Sequence, residues 1–292
     1  MNLRARSLLI MPGNNPGMIQ NCCVYGADVV ILDLEDAVPP DQKDVARVLV
    51  AEALRSLDFA PSQVMVRINA LAQGGEDDLA AVVPEEPVGI LLPKTESPED
   101  VVATSRLIAR FERQPGVVGL LPILETPLGV MRAMDVAMAD PRALGLSLGG
   151  EDYASALGVT RTKEGNEIAF GRAMVVNASM AVGLSAFDTP FTTIQDLDGL
   201  AEDAERAKAD GFLGKLCIHP MQIEPVNRIF SPSAEEVAWA RSIVDGFAAA
   251  EAAGVGVVAI NGKMVDAPTV HRAHCILDLA GSIHPATERV SC

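Results

Sequence analysis

The sequence predicts an α/β fold, a closed (β/α)8 barrel of parallel strands with an extra C-terminal segment. Three observations predict it. Eight short apolar runs recur at a regular pace along the chain, and the intervals between them have helical composition. Nearly every run ends in a charged or polar residue, and in a barrel of this kind those ends meet on one face. A doubly wound open sheet is the alternative, weakened because no G-x-G-x-x-G joins a first strand to a first helix.

The runs justify themselves in order. SLLIMP (Ser7 to Pro12) is short, apolar and stopped by proline and glycine. VVILDLED (Val29 to Asp36) opens with four apolar residues, as a strand buried on both faces does, and closes on Asp33, Glu35 and Asp36. Asp44 to Ser56 repeats apolar residues at three- and four-residue spacing, the period of a helix. VMVRIN (Val64 to Asn69) carries Arg67 and Asn69, and GILLPK (Gly89 to Lys94) ends on Lys94. Pro98 to Gln114 reads as a helix with Ser97 as N-cap, Pro98 in the first turn and acids behind it. VGLLPILE (Val118 to Glu125) ends on Glu125, and LGLSLGGED (Leu144 to Asp152) ends on Glu151 and Asp152. LSAFDTPF (Leu184 to Phe191) ends on Asp188 and Thr189. A helix from Leu197 to Asp210 follows, with Gly211 as its stop, and GKLCIHP (Gly214 to Pro220) brings His219. Beyond this eighth strand, Ser233 to Ala253 predicts one more helix, and Asn261-Gly262 is a turn signal. We therefore divide the chain into a barrel over residues 1–232 and a helical extension over 233–292 that packs across the barrel or on a neighbouring subunit.

Composition narrows the function. The chain has 292 residues, 49% of them hydrophobic, enough for a large single core. Its formal net charge of -16 argues against nucleic acid or an anionic membrane surface as partner, since both need a basic footprint. Five cysteines without C-x-x-C spacing suggest neither a disulfide framework nor a zinc site, and point to a reducing, cytoplasmic setting. The apolar run near the N-terminus is shorter than the ~7–15 residues of a signal-peptide core.

The strand ends hold the chemistry. Glu125 and Asp152 close adjacent strands and are suited to share a hard divalent cation. Two carboxylates with open positions favour Mg²⁺ over Ca²⁺. Without a cation, like charges so close force one to stay protonated. Glu125 also reads as an acid opening the next helix, and Asp152 as a cap for the segment from Tyr153. Gly149-Gly150 lets the backbone approach something closely. Arg67 reads as a structural ion pair with Glu35 or Asp36, as a fork for a substrate carboxylate, or as both at once. Lys94 reads as a salt bridge within the acid ring. His219 reads as structural or catalytic, and Asp266, before Ala267-Pro268, as a turn aspartate.

The ordered set RSLLIMPGNNPGM, GADVVILDLEDAV, VRIN, LPKTES, PILETPLG, LGGEDYA, GKLCIHPMQI and INGKMVDAP resembles the citrate lyase beta subunit and its relatives in the HpcH/HpaI aldolase superfamily. The resemblance runs from Arg6 to about Ala280. It implies a TIM barrel that binds Mg²⁺ and breaks or makes a carbon–carbon bond in a 3-hydroxy acyl thioester, giving a 2-oxo acid and an acyl-CoA. It implies Glu125 and Asp152 as metal ligands, with Glu35 and Asp36 behind them holding metal waters. Arg67 would grip the acid substrate, with backbone N–H groups around Gly149, Gly150 and Glu151. Arg6, Pro12 and Lys94 would meet the coenzyme A thioester, and Asp266 would enter a neighbour's site. Homotrimers or hexamers, and an acyl carrier protein in place of coenzyme A, also follow from the resemblance. Ile10, Met221 and the stretch FDTPF depart from the commoner pattern. A malyl-CoA thioester hydrolase, an aldolase without coenzyme A and a noncatalytic partner subunit are the competing readings.

Overall fold

Eight parallel strands pair in sequence order, and the last returns to the first. They form a closed barrel in the computed structural model, which describes residues 3–252, 258–260 and 263–282. The strands are β1 (Ser7–Pro12), β2 (Val29–Asp33), β3 (Gln63–Arg67), β4 (Gly89–Leu92), β5 (Gly119–Leu124), β6 (Gly145–Leu148), β7 (Ser185–Asp188) and β8 (Gly214–Cys217). Each falls within, or one residue outside, a run read from the sequence. The helices are α1 (Pro16–Asn21), α2 (Lys43–Ser56), α3 (Gly75–Val82), α4 (Pro98–Phe111), α5 (Pro127–Met131) and α6 (Ala133–Ala137). They continue with α7 (Gly150–Ala156), α8 (Ala169–Ala181), α9 (Leu197–Asp210), α10 (Ile223–Phe230), α11 (Ala234–Ala252) and α12 (Ala267–Ser282).

Local chemistry sets the helix ends. Ser97 accepts from the Asp100 N–H at 3.4 Å, while the Asp100 carboxylate accepts from the Ser97 N–H at 2.9 Å, a capping box at the start of α4. That helix stops at Phe111, three residues before the expected Gln114, because Glu112 turns to extended backbone. Asp196 caps α9 through the Gly199 N–H, and Gly211 ends it with φ 107°, a conformation glycine adopts without strain.

Alternation along each strand sorts side chains into two layers. Leu8, Ile31, Met65, Leu91, Leu121 and Phe187 fill the barrel interior. Their strand neighbours, such as Leu9, Val30, Leu32, Val66, Ile90 and Ala186, pack outward against the helices. Fully burying one such leucine or phenylalanine contributes about 1.5–3 kcal/mol. Extending the inward series by one step along β2 and β3, and by two along β5 through Ile123, arrives at Asp33, Arg67 and Glu125. The same rule sends Asp188 outward with Ala186, and Lys215 outward with Cys217.

The chain divides into two compact units, Met1–Phe230 and Ser231–Cys292. The second contains α11, α12 and an antiparallel pair, β9 (Val258–Ile260) and β10 (Lys263–Val265), so it is not helical throughout. Its own small core joins Ala240, Ile243, Val265 and Ala273, and the Arg272 guanidinium lies 4.8 Å over the Trp239 ring. Asn261 and Gly262, the expected turn, lie outside the described residues. No helix among the described residues is long and apolar enough to cross a membrane.

Candidate active site at the mouth of the barrel

The C-terminal ends of β2, β3, β4 and β5 bring an arginine, a lysine and four acids together. Asp33, the last residue of β2, is in register with Arg67, the last of β3. Asp33 Oδ1 accepts from Arg67 Nε at 2.7 Å and Oδ2 accepts from Arg67 Nη2 at 2.6 Å, a fork-on-fork pair. The remaining edge of the guanidinium, at Nη1, faces Glu35 Oε2 at 3.2 Å and Asp36 Oδ2 at 3.8 Å. Burial works against the charged guanidinium, but Asp33, Glu35 and Asp36 outweigh it and raise its pKa. The expected ion pair with Glu35 and Asp36 is present. Asp33 occupies one of the two bidentate edges of the guanidinium, so a substrate carboxylate would meet the other.

Glu35 is 3% exposed and Asp36 is exposed to solvent. Glu35 Oε1 accepts from Lys94 Nζ at 3.0 Å, the salt bridge expected of Lys94. Glu35 Oε2 is buried and has no hydrogen bond of good geometry. Burial, reinforced by Asp36, raises the Glu35 pKa despite Arg67 and Lys94. Lys94 itself has left-handed backbone, φ 50°, unusual for a residue with a side chain. In that conformation its N–H donates to Glu125 Oε1 at 2.6 Å.

Glu125 does not cap α5; Thr126 does, accepting from the Gly129 N–H at 3.1 Å. Glu125 is 4% exposed, and its carboxyl is pushed up to about 8, first by burial and then by the negative charges of Glu35 and Asp152, against the Lys94 N–H. Asp152 lies in the first turn of α7 rather than at a strand end, and Gly149, without a side-chain bond, occupies the cap position. A Cβ on Gly149 would fall 2.5 Å from both Cβ and Oε2 of Glu125. The close approach anticipated for this glycine pair is thus to Glu125 at Gly149 and to Thr189 at Gly150.

These acids fit a divalent cation. Glu125 is pushed up by burial and then by Glu35 and Asp152, and at the mouth Asp33, Glu35, Asp36, Glu125 and Asp152 face only Arg67 and Lys94 among the described residues, an excess of negative charge. No group of three or more His, Cys, Asp or Glu donors converges among the described residues. That suits Mg²⁺, which keeps several waters and takes one or two protein carboxylates.

Other expected residues are placed differently. The backbone nest around Gly149, Gly150 and Glu151 is largely occupied. The Gly149 N–H donates to the Leu124 carbonyl at 3.1 Å and the Gly150 N–H to Thr189 Oγ1 at 2.8 Å. Only the Glu151 N–H, at the second position of α7, has no acceptor among the described residues. The Glu151 side chain faces Arg161 Nε at 3.5 Å. Pro12 ends β1 at the mouth. Arg6 instead precedes β1 at the opposite rim, where its Nε and Nη2 donate to Asp28 at 2.8 and 2.7 Å, so the structure does not bring it to the site. His219 Nδ1 accepts from the Met221 N–H at 3.2 Å, a capping role. Asn69 is buried and ties the Leu34 carbonyl to Asp78. Asp266 precedes α12, where its Oδ1 accepts from the N–H and Oγ1 of Thr269 at 3.1 and 2.8 Å. Those bonds lower its pKa.

Asp188 leaves the expected ring altogether. It turns outward into a buried four-charge network with Arg172 of α8, Asp203 of α9 and Lys215 of β8. Lys215 Nζ lies 2.5 Å from Asp188 Oδ2 and 2.6 Å from Asp203 Oδ2. Sequence reading missed this network and the Asp33–Arg67 pair. A lysine inside the apolar run GKLC was the available signal for the first.

Comparison with known proteins agrees with the barrel. The family model described as HpcH/HpaI aldolase/citrate lyase matches residues 6–220. The citrate lyase subunit beta of Escherichia coli (strain K12) is 40% identical over 280 residues, covering 94% of this chain and 93% of that protein. The mitochondrial citramalyl-CoA lyase of Homo sapiens is 32% identical over 294 residues, covering 95% and 86%. Among solved structures, CitE from Mycobacterium tuberculosis in complex with magnesium, acetoacetate and coenzyme A superposes with a TM-score of 0.78 at 33% identity, covering 96% of this chain and 100% of that one.

Proposed function

Because the chain belongs to the HpcH/HpaI aldolase/citrate lyase family, we propose that it is a Mg²⁺-dependent carbon–carbon lyase. It cleaves, or in reverse condenses, a 3-hydroxy acyl-CoA such as citramalyl-, malyl- or citryl-CoA into a 2-oxo acid and an acyl-CoA. The observation that carries this reading is the excess of acids over cations around Arg67 at the barrel mouth. Its likeness to a CitE structure holding magnesium and coenzyme A supports the choice of both.

Glu125 and Asp152 would hold the ion, and Glu35 and Asp36 would accept hydrogen bonds from its waters. Bound Mg²⁺ supplies Lewis acidity that lowers the pKa of the substrate hydroxyl. The end edge of Arg67, which Glu35 and Asp36 face at 3.2 and 3.8 Å, takes the carboxylate beside that hydroxyl, and the Glu151 N–H adds a second donor. The Asp266 carboxylate of an adjoining subunit, kept ionised by its bonds to Thr269, takes the hydroxyl proton, and the electron pair of the broken O–H bond forms the new carbonyl. The bond from the carbinol carbon to the thioester α-carbon breaks, and its electrons pass to the thioester enolate. Asp266 from an adjoining subunit returns a proton to that α-carbon. Its Oδ2 accepts no hydrogen bond among the described residues and is the atom for this transfer. The second unit thereby serves as an intersubunit element in a homotrimer or hexamer, in the cytoplasm. Pro12 and Lys94 border the path of the thioester.

The second reading is a beta subunit acting on an acyl carrier protein, favoured by the higher identity to citrate lyase subunit beta, 40% against 32%. Assay of the purified chain alone with malyl-, citramalyl- and citryl-CoA, with and without Mg²⁺, separates the two. Release of a 2-oxo acid with an acyl-CoA supports the lyase; free coenzyme A without oxo acid identifies a hydrolase. Asp152→Ala should lose Mg²⁺ binding and turnover together, and normal activity in that variant would refute the metal assignment.

A further inference from the structure

Asp33 is fully buried and each of its oxygens accepts two hydrogen bonds. Oδ1 takes Arg67 Nε at 2.7 Å and the Glu35 N–H at 2.9 Å; Oδ2 takes Arg67 Nη2 at 2.6 Å and the Ala37 N–H at 3.0 Å. All four lone-pair sites of the carboxylate are thus engaged. It has no capacity left for a substrate or an ion, so any part it plays in the chemistry passes through the groups it holds. Two of those groups belong to the loop that follows β2 and carries Glu35 and Asp36. The other two belong to the one guanidinium that these acids face, at 3.2 and 3.8 Å.

We propose that Asp33 is the positioning residue of this site: one buried carboxylate fixes the Arg67 guanidinium and the acid-bearing loop relative to each other. By occupying the side edge of the fork it leaves the end edge, Nη1 with the outer hydrogen of Nη2, as the surface offered to a 2-oxo acid carboxylate. Glu35 and Asp36 then compete with the substrate for that edge, so the loop's position sets how firmly the acid is held. The inference rests on the lyase reading for its substrate, but the clamp itself rests only on the contacts given above.

The test uses the full chain with Asp33→Asn and Asp33→Glu. Asparagine replaces one acceptor oxygen by a donor that meets Arg67 Nη2 and the Ala37 N–H head-on. Glutamate keeps the buried charge while lengthening the arm by one methylene. Thermal unfolding establishes that each variant is folded. Pyruvate affinity is then measured calorimetrically with Mg²⁺ present, and labelling of Arg67 by phenylglyoxal is followed by peptide mass mapping without Mg²⁺ or substrate. Both variants should bind pyruvate at least tenfold more weakly and label at Arg67 several times faster. In an Arg67→Gln background, Asp33→Asn should change pyruvate affinity less than twofold. A merely structural role would lower the melting temperature without that coupling. Unchanged affinity and labelling in a folded variant, or an equal loss of affinity in the Arg67→Gln background, would overturn the proposal. If Asp33→Asn does not fold, Asp33→Glu is judged by the same affinity and labelling. If the wild-type chain neither turns over a coenzyme A thioester nor binds pyruvate, the lyase reading fails, and the Arg67 labelling rates still decide the role of Asp33.

Discussion

Replacing Gly149 with alanine adds one methyl group against Glu125 at the barrel mouth. Gly149 has φ −95°, open to any residue, so the substitution acts through contact alone. The new Cβ would lie 2.5 Å from Glu125 Cβ, 2.5 Å from Glu125 Oε2 and 3.1 Å from Ile123 Cγ2. Carbon atoms sit comfortably at about 3.5–4.0 Å, so something must yield by roughly 1 Å. Glu125 Cβ is anchored at the end of β5 and its Oε1 is held by the Lys94 N–H at 2.6 Å, so relief comes through the strand end or the carboxylate. Overpacking of this kind costs about 1–3 kcal/mol. At about 2–4 °C per kcal/mol for chains of this size, the melting temperature should fall by roughly 2–12 °C. A displacement of about 1 Å at a reacting centre can lower turnover about 100-fold. The assay pairs thermal unfolding with cleavage of the preferred coenzyme A thioester over a Mg²⁺ titration, where the variant should need more Mg²⁺. A Gly149→Ala protein with the wild-type melting temperature and turnover would refute the account of Glu125 as a tightly held ligand.

Lys215→Met leaves Asp188 with Arg172, and Asp203 with Arg172 and the more exposed Arg206, so the buried part of the network carries an excess of negative charge. Breaking a buried pair on one side costs about 3–5 kcal/mol, read as a lower denaturant midpoint; a loss under about 1 kcal/mol would count against the network's role. Glu167 accepts from the Thr162 N–H at 2.9 Å, Thr162 Oγ1 at 2.7 Å and Arg161 Nη1 at 2.6 Å. Burial raises its pKa, but these bonds outweigh that and lower it from 4.5 to about 2. A depressed carboxyl stabilises the fold above its unfolded value and loses that contribution as pH falls through its folded value. The melting-temperature gap between wild type and Glu167→Gln should therefore be full at pH 7 and close between about pH 4.5 and 2. A gap constant over that range would sink the assignment.

The barrel was legible because its signals are local. A buried parallel strand announces itself as a short β-branched run, and Ser97 and Gly211 mark helix ends by chemistry confined to a few residues. The acids of the mouth were legible as a set because topology alone gathers strand ends. Which way each end faces was not. Asp188 and Thr189 are consecutive, yet one enters the helix layer and the other accepts the Gly150 N–H at the mouth. That division depends on where the alternation starts, a phase fixed by Phe187 filling the barrel interior. The pairing of Arg67 with Asp33 rather than with Glu35 and Asp36 alone depends on cross-strand register, set by closure of the whole barrel. Arg6 sits in a run read for its order along the chain, which is silent on which rim of the cylinder it occupies.

Lys94 touches two nearly buried acids of the mouth by different means, Glu35 through its ammonium and Glu125 through its main chain. Truncating the side chain reaches only the first. Alanine would erase the link to Glu35 and leave the amide aimed at Glu125, so a mild phenotype would speak for the side chain and say nothing of the peptide unit beneath it. Glycine would relax the left-handed turn and free the amide to wander. Comparing those two replacements separates what the residue contributes as a cation from what it contributes as a shape.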